Sequence, residues 1–423
     1  MKSILVFGLF LSLIFVYDMD FGDLPYVILL LTVCLVVGGN LVKFLQRHPV
    51  GFRFNFSMKE YSPFDRLLST TLMWLWPLII LSWLIGVWIG IFNAIDASMV
   101  FRNFFGLIVY MIFPLMLIVS PSLKSLIIMI YLSAMVQMCY GFERSHELVL
   151  NLLLNPTVLH IGHSFAELRS FYSAGLIVIF PLFIVGAGCK LLPKQYHPTN
   201  YGRMISMLSN SLFFTFLTLV ALVVPAMSKG YILATVMLFL IVVFISVFYS
   251  IKFARIHKNT MICLILLVIL LCLLPNSFYQ TIKDSYNTEE VSNTIRSDQF
   301  QYLLSELTFF GNGLGSSLRS GYAREPSGYS FELTYVNIVH KIGVFSIFLF
   351  ISYIATLTVA SIRILRRVYV FESLFVIGLM GYLVVGAGNP ILLSTSAVIL
   401  HCIAMYIIVK PFLIPMSDKA VAL

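Results

Sequence analysis

The sequence predicts an all-α, polytopic integral membrane protein, and three observations carry that expectation. Of 423 residues, 60% are A, V, I, L, M, F, W, Y or C. Only 11% are charged, and the mean hydropathy is +0.98. A soluble domain needs about a quarter of its residues charged, so most of this perimeter must face lipid. The apolar residues also gather in runs of the length, about 17 to 25 residues, that crosses about 30 Å of hydrocarbon. The same composition excludes a disordered chain, a collagen, a disulfide-rich secreted domain and a nucleic-acid-binding module. Each of those needs polar, Gly-periodic, Cys-dense or Lys/Arg-dense sequence.

Twelve runs are expected to span. They lie at 3–17, 24–42, 68–92, 103–120, 125–142 and 171–189, then at 207–226, 230–250, 260–275, 333–362, 373–388 and 391–409. The first is short and follows Met1-Lys2, but no small-x-small cleavage site precedes Asp18, so it reads as a span rather than a signal peptide. Pro77, Pro114 and Pro181 interrupt spans three, four and six, where kinks are expected because proline frees a carbonyl that neighbours must satisfy. All six cysteines (Cys34, Cys139, Cys189, Cys263, Cys272 and Cys402) fall inside apolar runs without metal-ligand spacing, as packing residues do.

Orientation follows from Lys and Arg, which resist translocation. With both termini cytoplasmic, 18 of the 27 fall on the inner side, eight fall on the outer side, and Lys341 stands near the start of span ten. Of 18 acids only Glu60, Asp65, Glu372 and Asp418 fall inside, so the inner face is about +14 and the outer about −6. The +9 net charge therefore sets topology rather than binding nucleic acid. The chain reads as one membrane domain, 1–423, with two long outer loops, 143–169 and 276–332, as a cap. Loops of that length are usually functional or disordered, and these mix aromatic and charged residues. The inner segment 43–66, with Phe52, Phe54 and Phe56 among Arg and Lys, reads as an interfacial anchor.

The larger outer loop carries the densest chemistry. It holds Arg296 and Gln299, then Gly311-Asn312-Gly313-Leu314-Gly315, then Arg319, Arg324 and Glu325, and Glu332 stands at its end. Glycines at this spacing permit left-handed backbone and close approach of N–H groups to an anion, and the arginines offer guanidinium forks. They serve equally as turn formers and solvated loop charges. Ser228-Lys229-Gly230 makes an outer turn of about four residues that holds a cation near the bilayer, either as an interface anchor or as a functional charge. Arg169 opens span six in the same manner. Glu332, Tyr335 and Val339 share one helical face, which aims a carboxylate along a single stripe at the mouth of the bundle. Asp18, Asp20 and Asp23 form an acidic cluster that reads as surface charge or as a divalent-ion site.

This order of features resembles the bacterial O-antigen polymerase and O-antigen ligase superfamily. Three places carry the resemblance: Met227-Ser228-Lys229-Gly230, similar to the family's Ser-Arg-Gly turn with Lys for Arg; Arg296 and Gln299 leading into the glycines; and Glu332 with Tyr335 and Gly343. Glu332 stands eleven residues before Gly343, where ligases typically carry His-Asn and polymerases often carry Glu. Gly388-Asn389-Pro390 is similar to the family's ending, and Arg169 to its basic residue in the first large outer loop.

The resemblance implies a GT-C-like membrane glycosyltransferase of the bacterial inner membrane, acting at its periplasmic face on undecaprenyl-pyrophosphate-linked oligosaccharide. A chain-length regulator and a flippase are the implied partners, with membrane lipid. It implies Glu332 as catalytic base and Arg169, Lys229, Arg296, Arg319 and Arg324 as the pyrophosphate clamp. Ser228, Gln299, Gly313, Gly315 and Tyr335 support them. No cofactor and no metal are implied, because pyrophosphate is already a good leaving group that cations can hold. Lys229 keeps the charge of the family's arginine but not its bidentate geometry. Three other readings stay open at this point: a ligase, a metal-dependent polyprenyl-phosphate-sugar transferase using Asp18 and Asp20, and a lipid-linked oligosaccharide flippase.

Overall fold

A computed structural model describes residues 1–15, 24–45, 52–54, 61–146, 173–226, 228–252, 291–319, 321, 331, 333–392 and 394–415. It is helical apart from one two-stranded ribbon. Among the described residues, six segments are long and apolar enough to cross a membrane: Leu24–Val42, Pro63–Phe92, Leu123–Glu143, Lys229–Ser250, Thr334–Arg366 and Thr395–Phe412. A bent pair, Arg203–Asn210 with Leu212–Val223, makes a seventh if it counts as one span. Shorter apolar helices cover Lys2–Ile14, Val109–Val119, Ile177–Leu191 and Val370–Val385. The protein is thus membrane-embedded. Of the expected runs, 24–42, 68–92, 125–142, 230–250, 333–362 and 391–409 fall on the six crossing segments and 207–226 on the bent pair; 3–17, 103–120, 171–189 and 373–388 fall on the shorter or broken helices, and 260–275 lies outside the described residues.

The helices are α1 (Lys2–Ile14), α2 (Leu24–Leu45), α3 (Pro63–Phe92), α4 (Ala97–Ile108), α5 (Ile112–Val119), α6 (Leu123–Arg144), α7 (Ser173–Leu176) and α8 (Phe180–Leu191). Then come α9 (Arg203–Asn210), α10 (Leu212–Val223), α11 (Lys229–Lys252), α12 (Val291–Ser305), α13 (Thr334–Ile342), α14 (Ser346–Arg366), α15 (Val370–Leu379), α16 (Tyr382–Val385) and α17 (Thr395–Val409). Strands β1 (Phe52–Phe54) and β2 (Leu413–Pro415) pair antiparallel.

Helix α17 is the axis: every one of its residues is buried, and α3, α5, α14 and α15 pack around it. Helix α3 starts where Ser62 accepts the Asp65 N–H at 3.0 Å and Pro63 takes the first turn, whose N–H groups have no helical partner anyway. It buries Leu72, Leu75, Ile79 and Trp83 and turns Trp74 and Trp88 outward to lipid. Pro114 and Pro181 sit in the first turn of helices that follow the 3-10 turns Val109–Met111 and Ile177–Ile179, so the expected breaks are present there. Pro77, by contrast, sits inside an uninterrupted α3.

One end of the bundle is closed by a buried ion pair. Arg363 donates from Nε and a terminal nitrogen to both Asp65 oxygens at 3.0 and 3.1 Å, and to the Ile408 carbonyl at 2.8 Å. Tyr61 and Phe412 cover the guanidinium, with ring centroids 5.1 and 5.9 Å away. We call this the ion-pair end. Antiparallel to α14, α3 reaches Gly86, where a methyl group would stand 2.7 Å from Ile342. The separation from Asp65 to Gly86 is 21 residues, roughly 31 Å at 1.5 Å per residue, which matches one hydrocarbon thickness. Exposed Trp88, Phe92, Phe309 and Phe310 gather at that second level, as aromatics do at an interface.

The tenth expected span, 333–362, is not one straight helix. The Tyr335 and Phe350 rings have centroids 6.0 Å apart, whereas fifteen residues of straight helix separate Cα atoms by about 22 Å. Helix α13 therefore folds back beside α14. The hinge is Gly343, at φ 55 and ψ −139, a conformation open to glycine. The 21 residues of α14 suffice to cross alone.

Candidate functional site

The fold-back brings four stretches together around Asn389. In α12, Arg296 and Gln299 share a face at i, i+3. Gln299 is fully buried, and its Oε1 accepts the Leu333 N–H at 3.1 Å. One residue on, the Thr334 hydroxyl donates to the Asn389 carbonyl at 2.8 Å. The Asn389 amide donates to the Val385 carbonyl at 3.1 Å and lies against Gly230, where a methyl would stand 3.1 Å from Nδ2. A methyl on Gly388 would stand 3.8 Å from Arg296 Nε. The Ser228-Lys229-Gly230 turn, α12, the start of α13 and Gly388-Asn389 are thus mutual neighbours.

Ser228 is buried and its carbonyl accepts the Ile232 N–H at 3.1 Å, so it begins α11 and sets Lys229 in the first turn. Two helix N-termini, those of α11 and α13, therefore lie near the same asparagine as two half-buried cations, Lys229 and Arg296. The partial positive charge of helix N-termini adds to that of the side chains. Such a place favours a multiply charged anion.

Glu332, Arg169 and Arg324 lie outside the described residues, as do Asp18, Asp20 and Asp23. The flanks of Glu332 are placed: Phe331 is buried with Leu303 and Leu318, and Leu333 is tied to Gln299. Tyr335 donates its hydroxyl to the Leu383 carbonyl at 2.7 Å. Arg319 is exposed beside Glu306, whose carboxylate accepts its main-chain N–H at 2.8 Å. Among the described residues, no three His, Cys, Asp or Glu side chains gather in a metal-binding arrangement.

The glycine loop differs from the anion cradle its spacing permits. Its N–H groups are already bonded within the protein. Asn312 and Gly313 donate to the His340 and Lys341 carbonyls at 2.8 and 2.9 Å, Leu314 donates to Gly86 at 2.9 Å, and Gly315 donates to Asn103 Oδ1 at 3.3 Å. The last carbonyls of α13 have no helical donor, and the loop supplies one. Gly313 and Gly315, at φ 92 and 77, let the chain press against Gly90 and Val100, so their support is structural.

Between α13 and α14 runs an apolar cavity of about 450 Å³, with Tyr335, Val336 and Val339 on one wall and Phe350, Tyr353 and Ile354 on the other. Leu383 and the end of α12 also border it, so it opens beside the Asn389 cluster.

Several buried groups escaped the sequence reading. Asn389 as the meeting point carried only a weak signal, the Gly-Asn-Pro turn before the last span. Asn337, His340, Lys341 and Ser316 are buried beneath the glycine loop, where Lys341 Nζ donates to the Ser316 carbonyl at 3.3 Å. Deeper still, His401 of α17 is hydrogen-bonded through Nδ1 to the Tyr110 hydroxyl at 3.0 Å and faces Tyr353, with centroids 4.5 Å apart. A single histidine in an apolar run gives no clue to its partners. Comparison with protein-family models, with curated proteins and with solved structures finds no match for this chain.

Proposed function

We propose that this protein is a polymerase of O-antigen or a related surface polysaccharide. It would join undecaprenyl-pyrophosphate-linked repeat units at the periplasmic face of the bacterial inner membrane, within a GT-C-like domain of about twelve spans whose termini are cytoplasmic. One observation carries the reading: Lys229, Arg296 and Gln299 meet the start of α13 around Asn389, beside an apolar cavity. A lipid-linked pyrophosphate needs such a pairing, cations for its head and an apolar wall for its chain.

In this reading the acceptor hydroxyl gives its proton to Glu332 as its oxygen bonds to the anomeric carbon. The bond from that carbon to the pyrophosphate breaks, and the electron pair leaves with the pyrophosphate. Charge grows on the leaving group, and Lys229 and Arg296, joined by Arg169, Arg319 and Arg324, hold it. Gln299 holds the Leu333 main chain, one residue after Glu332, and so anchors the segment that carries the base. A chain-length regulator and a flippase are the expected partners in the membrane.

The test is the polysaccharide ladder of a deletion strain complemented at matched expression. Wild type restores a full ladder, and Glu332→Gln leaves single repeat units on the core. An unchanged ladder with Glu332→Gln removes the base assignment. If deletion leaves finished polymer on the carrier lipid, the protein is a ligase.

A flippase is the second reading, favoured by the interrupted helices α4–α5, α7–α8 and α15–α16 around buried His401. It predicts lipid-linked units trapped on the cytoplasmic leaflet in the deletion strain, with no single-repeat band.

A further inference from the structure

At the ion-pair end, the chain leaves α8 and passes through two 3-10 turns, Lys194–Tyr196 and Thr199–Tyr201, before entering α9. Helix α9 is bent by 72° from α10, so if α10 crosses the bilayer, α9 lies close to its plane. It packs inward through Ile205 and Ser209, the latter bonded to the Tyr131 hydroxyl, and leaves Met204 and Met207 exposed. Leu212 and Phe213, the first residues of α10, are exposed as well, 71% and 74%. Four apolar side chains therefore continue from the in-plane helix onto the crossing one.

Cations border this face. Lys124, Lys194 and Arg203 are all exposed, and Lys124 lies beside Gly202 at the entry to α9, its Nζ 3.9 Å from where a methyl would stand. The described carboxylates of this end are already engaged. Asp65 is buried with Arg363, and Glu372 accepts the Tyr201 hydroxyl. Positive charge is thus left over at the level where phospholipid headgroups lie, directly above apolar side chains at acyl-chain depth.

We propose that this α9 ledge is a docking surface for an anionic phospholipid, whose phosphate sits by Lys124 and Arg203 at the entry to α9 while its chains lie on Met207, Leu212 and Phe213; Lys194 adds positive charge further along the same end. Charge complementarity selects an anionic headgroup over a zwitterionic one, because Lys124, Arg203 and Lys194 outnumber the one described carboxylate near them that is not ion-paired, Glu372, whose charge the Tyr201 hydroxyl does not cancel. The exposed apolar residues select a lipid over a free phosphate, which would have no use for them. The surface is independent of the polymerase reading and lies at the opposite end of the bundle.

The test uses the detergent-solubilised full chain, titrated in mixed micelles with dioleoylphosphatidylglycerol or dioleoylphosphatidylcholine and read by native mass spectrometry. Wild type should retain the glycerol lipid at least tenfold more tightly. The exposed pair Lys124→Gln/Arg203→Gln should weaken that lipid by about 30-fold, since each cation at an anionic surface contributes about a fivefold factor, and should leave the choline lipid unchanged. Replacing Leu212 and Phe213 by serine should weaken both lipids. Three results overturn the proposal: equal retention of the two lipids by wild type, unchanged selectivity in the charge pair, or full displacement of the lipid by millimolar inorganic phosphate. The last would make this a free-anion site.

Discussion

Replacing Gly343 by alanine tests the hinge on which the site depends. The new methyl would stand 2.1 Å from the Phe309 carbonyl oxygen and 2.5 Å from both Gly311 N and Phe310 C. All three are main-chain atoms, so no side chain can swing away. Relief requires the glycine loop to leave, and with it three hydrogen bonds: Val344 to Phe309 at 2.9 Å, Asn312 to His340 at 2.8 Å and Gly313 to Lys341 at 2.9 Å. At about 1 kcal/mol each, plus about 1–3 kcal/mol for a non-glycine residue at φ 55 and ψ −139, the cost is about 4–6 kcal/mol. That is roughly three to four decades in the folded-to-unfolded ratio. Gly38→Ala is the control, since nothing lies within 4 Å of its added methyl, and an alanine there should be neutral or stabilising by up to about 1 kcal/mol. Gly86→Ala falls between, because its obstacle is the Ile342 side chain at 2.7 Å. Thermal unfolding of the three variants in one detergent gives the order, and the polysaccharide ladder shows whether the site is lost with the hinge. If Gly343→Ala unfolds together with Gly38→Ala, the fold-back of α13 is wrong.

Asp65→Asn should destabilise the protein by about 3–5 kcal/mol, because it leaves the Arg363 guanidinium buried without its counter-charge; Asp65→Leu with Arg363→Met should recover most of that loss in the same unfolding assay. Arg296→Ala and Asn389→Ala should each shorten or abolish the ladder, and Arg296→Lys should retain part of it, measured at matched expression. Burial and then the nearby Lys190 and Lys194 charges hold the His197 imidazole below its usual 6.5 despite its bond to the Leu192 carbonyl at 3.2 Å. The neutral ring is therefore the folded form's preference. Its contribution is complete above pH 6.5 and is lost as pH falls through the lower folded value, and His197→Gln should remove that part of the acid sensitivity.

The crossing helices were legible because their signal is local. Runs such as 24–42 and 230–250 are apolar throughout, and length alone identifies them. Pro114 and Pro181 marked breaks for the same reason, whereas Pro77 did not, since a helix holds together when its neighbours satisfy the freed carbonyl. Gly343 was visible only as a motif residue, because a positive φ inside an apolar run leaves no compositional trace. So α13 and α14 read as one span. The glycine loop misled for a related reason: spacing shows which N–H groups are available, but their acceptors, Gly86 and the α13 carbonyls, lie at the far ends of other helices. In the site, Lys229, Arg296 and Gln299 were legible as residue types. Their convergence on Asn389 depends on contacts across 34 or more residues, which no window of sequence contains.

The Asp65–Arg363 pair also has a history in time. Its members are 298 residues apart, and chains lengthen at about 5–20 residues per second. Helix α3 therefore reaches the bilayer with its aspartate some 15 to 60 seconds before the arginine that neutralises it has been made. During that interval Asp65 has only local company, the Ser69 hydroxyl at 3.1 Å and the Ser62 turn, and it remains near the headgroups, where water reaches it. Closure comes when α14 enters antiparallel to α3, and the short ribbon between 52–54 and 413–415 then ties the early chain to the late one. A nascent chain that stops before residue 363 lacks the guanidinium that neutralises Asp65, and its third helix is left without the partner that closes this end of the bundle.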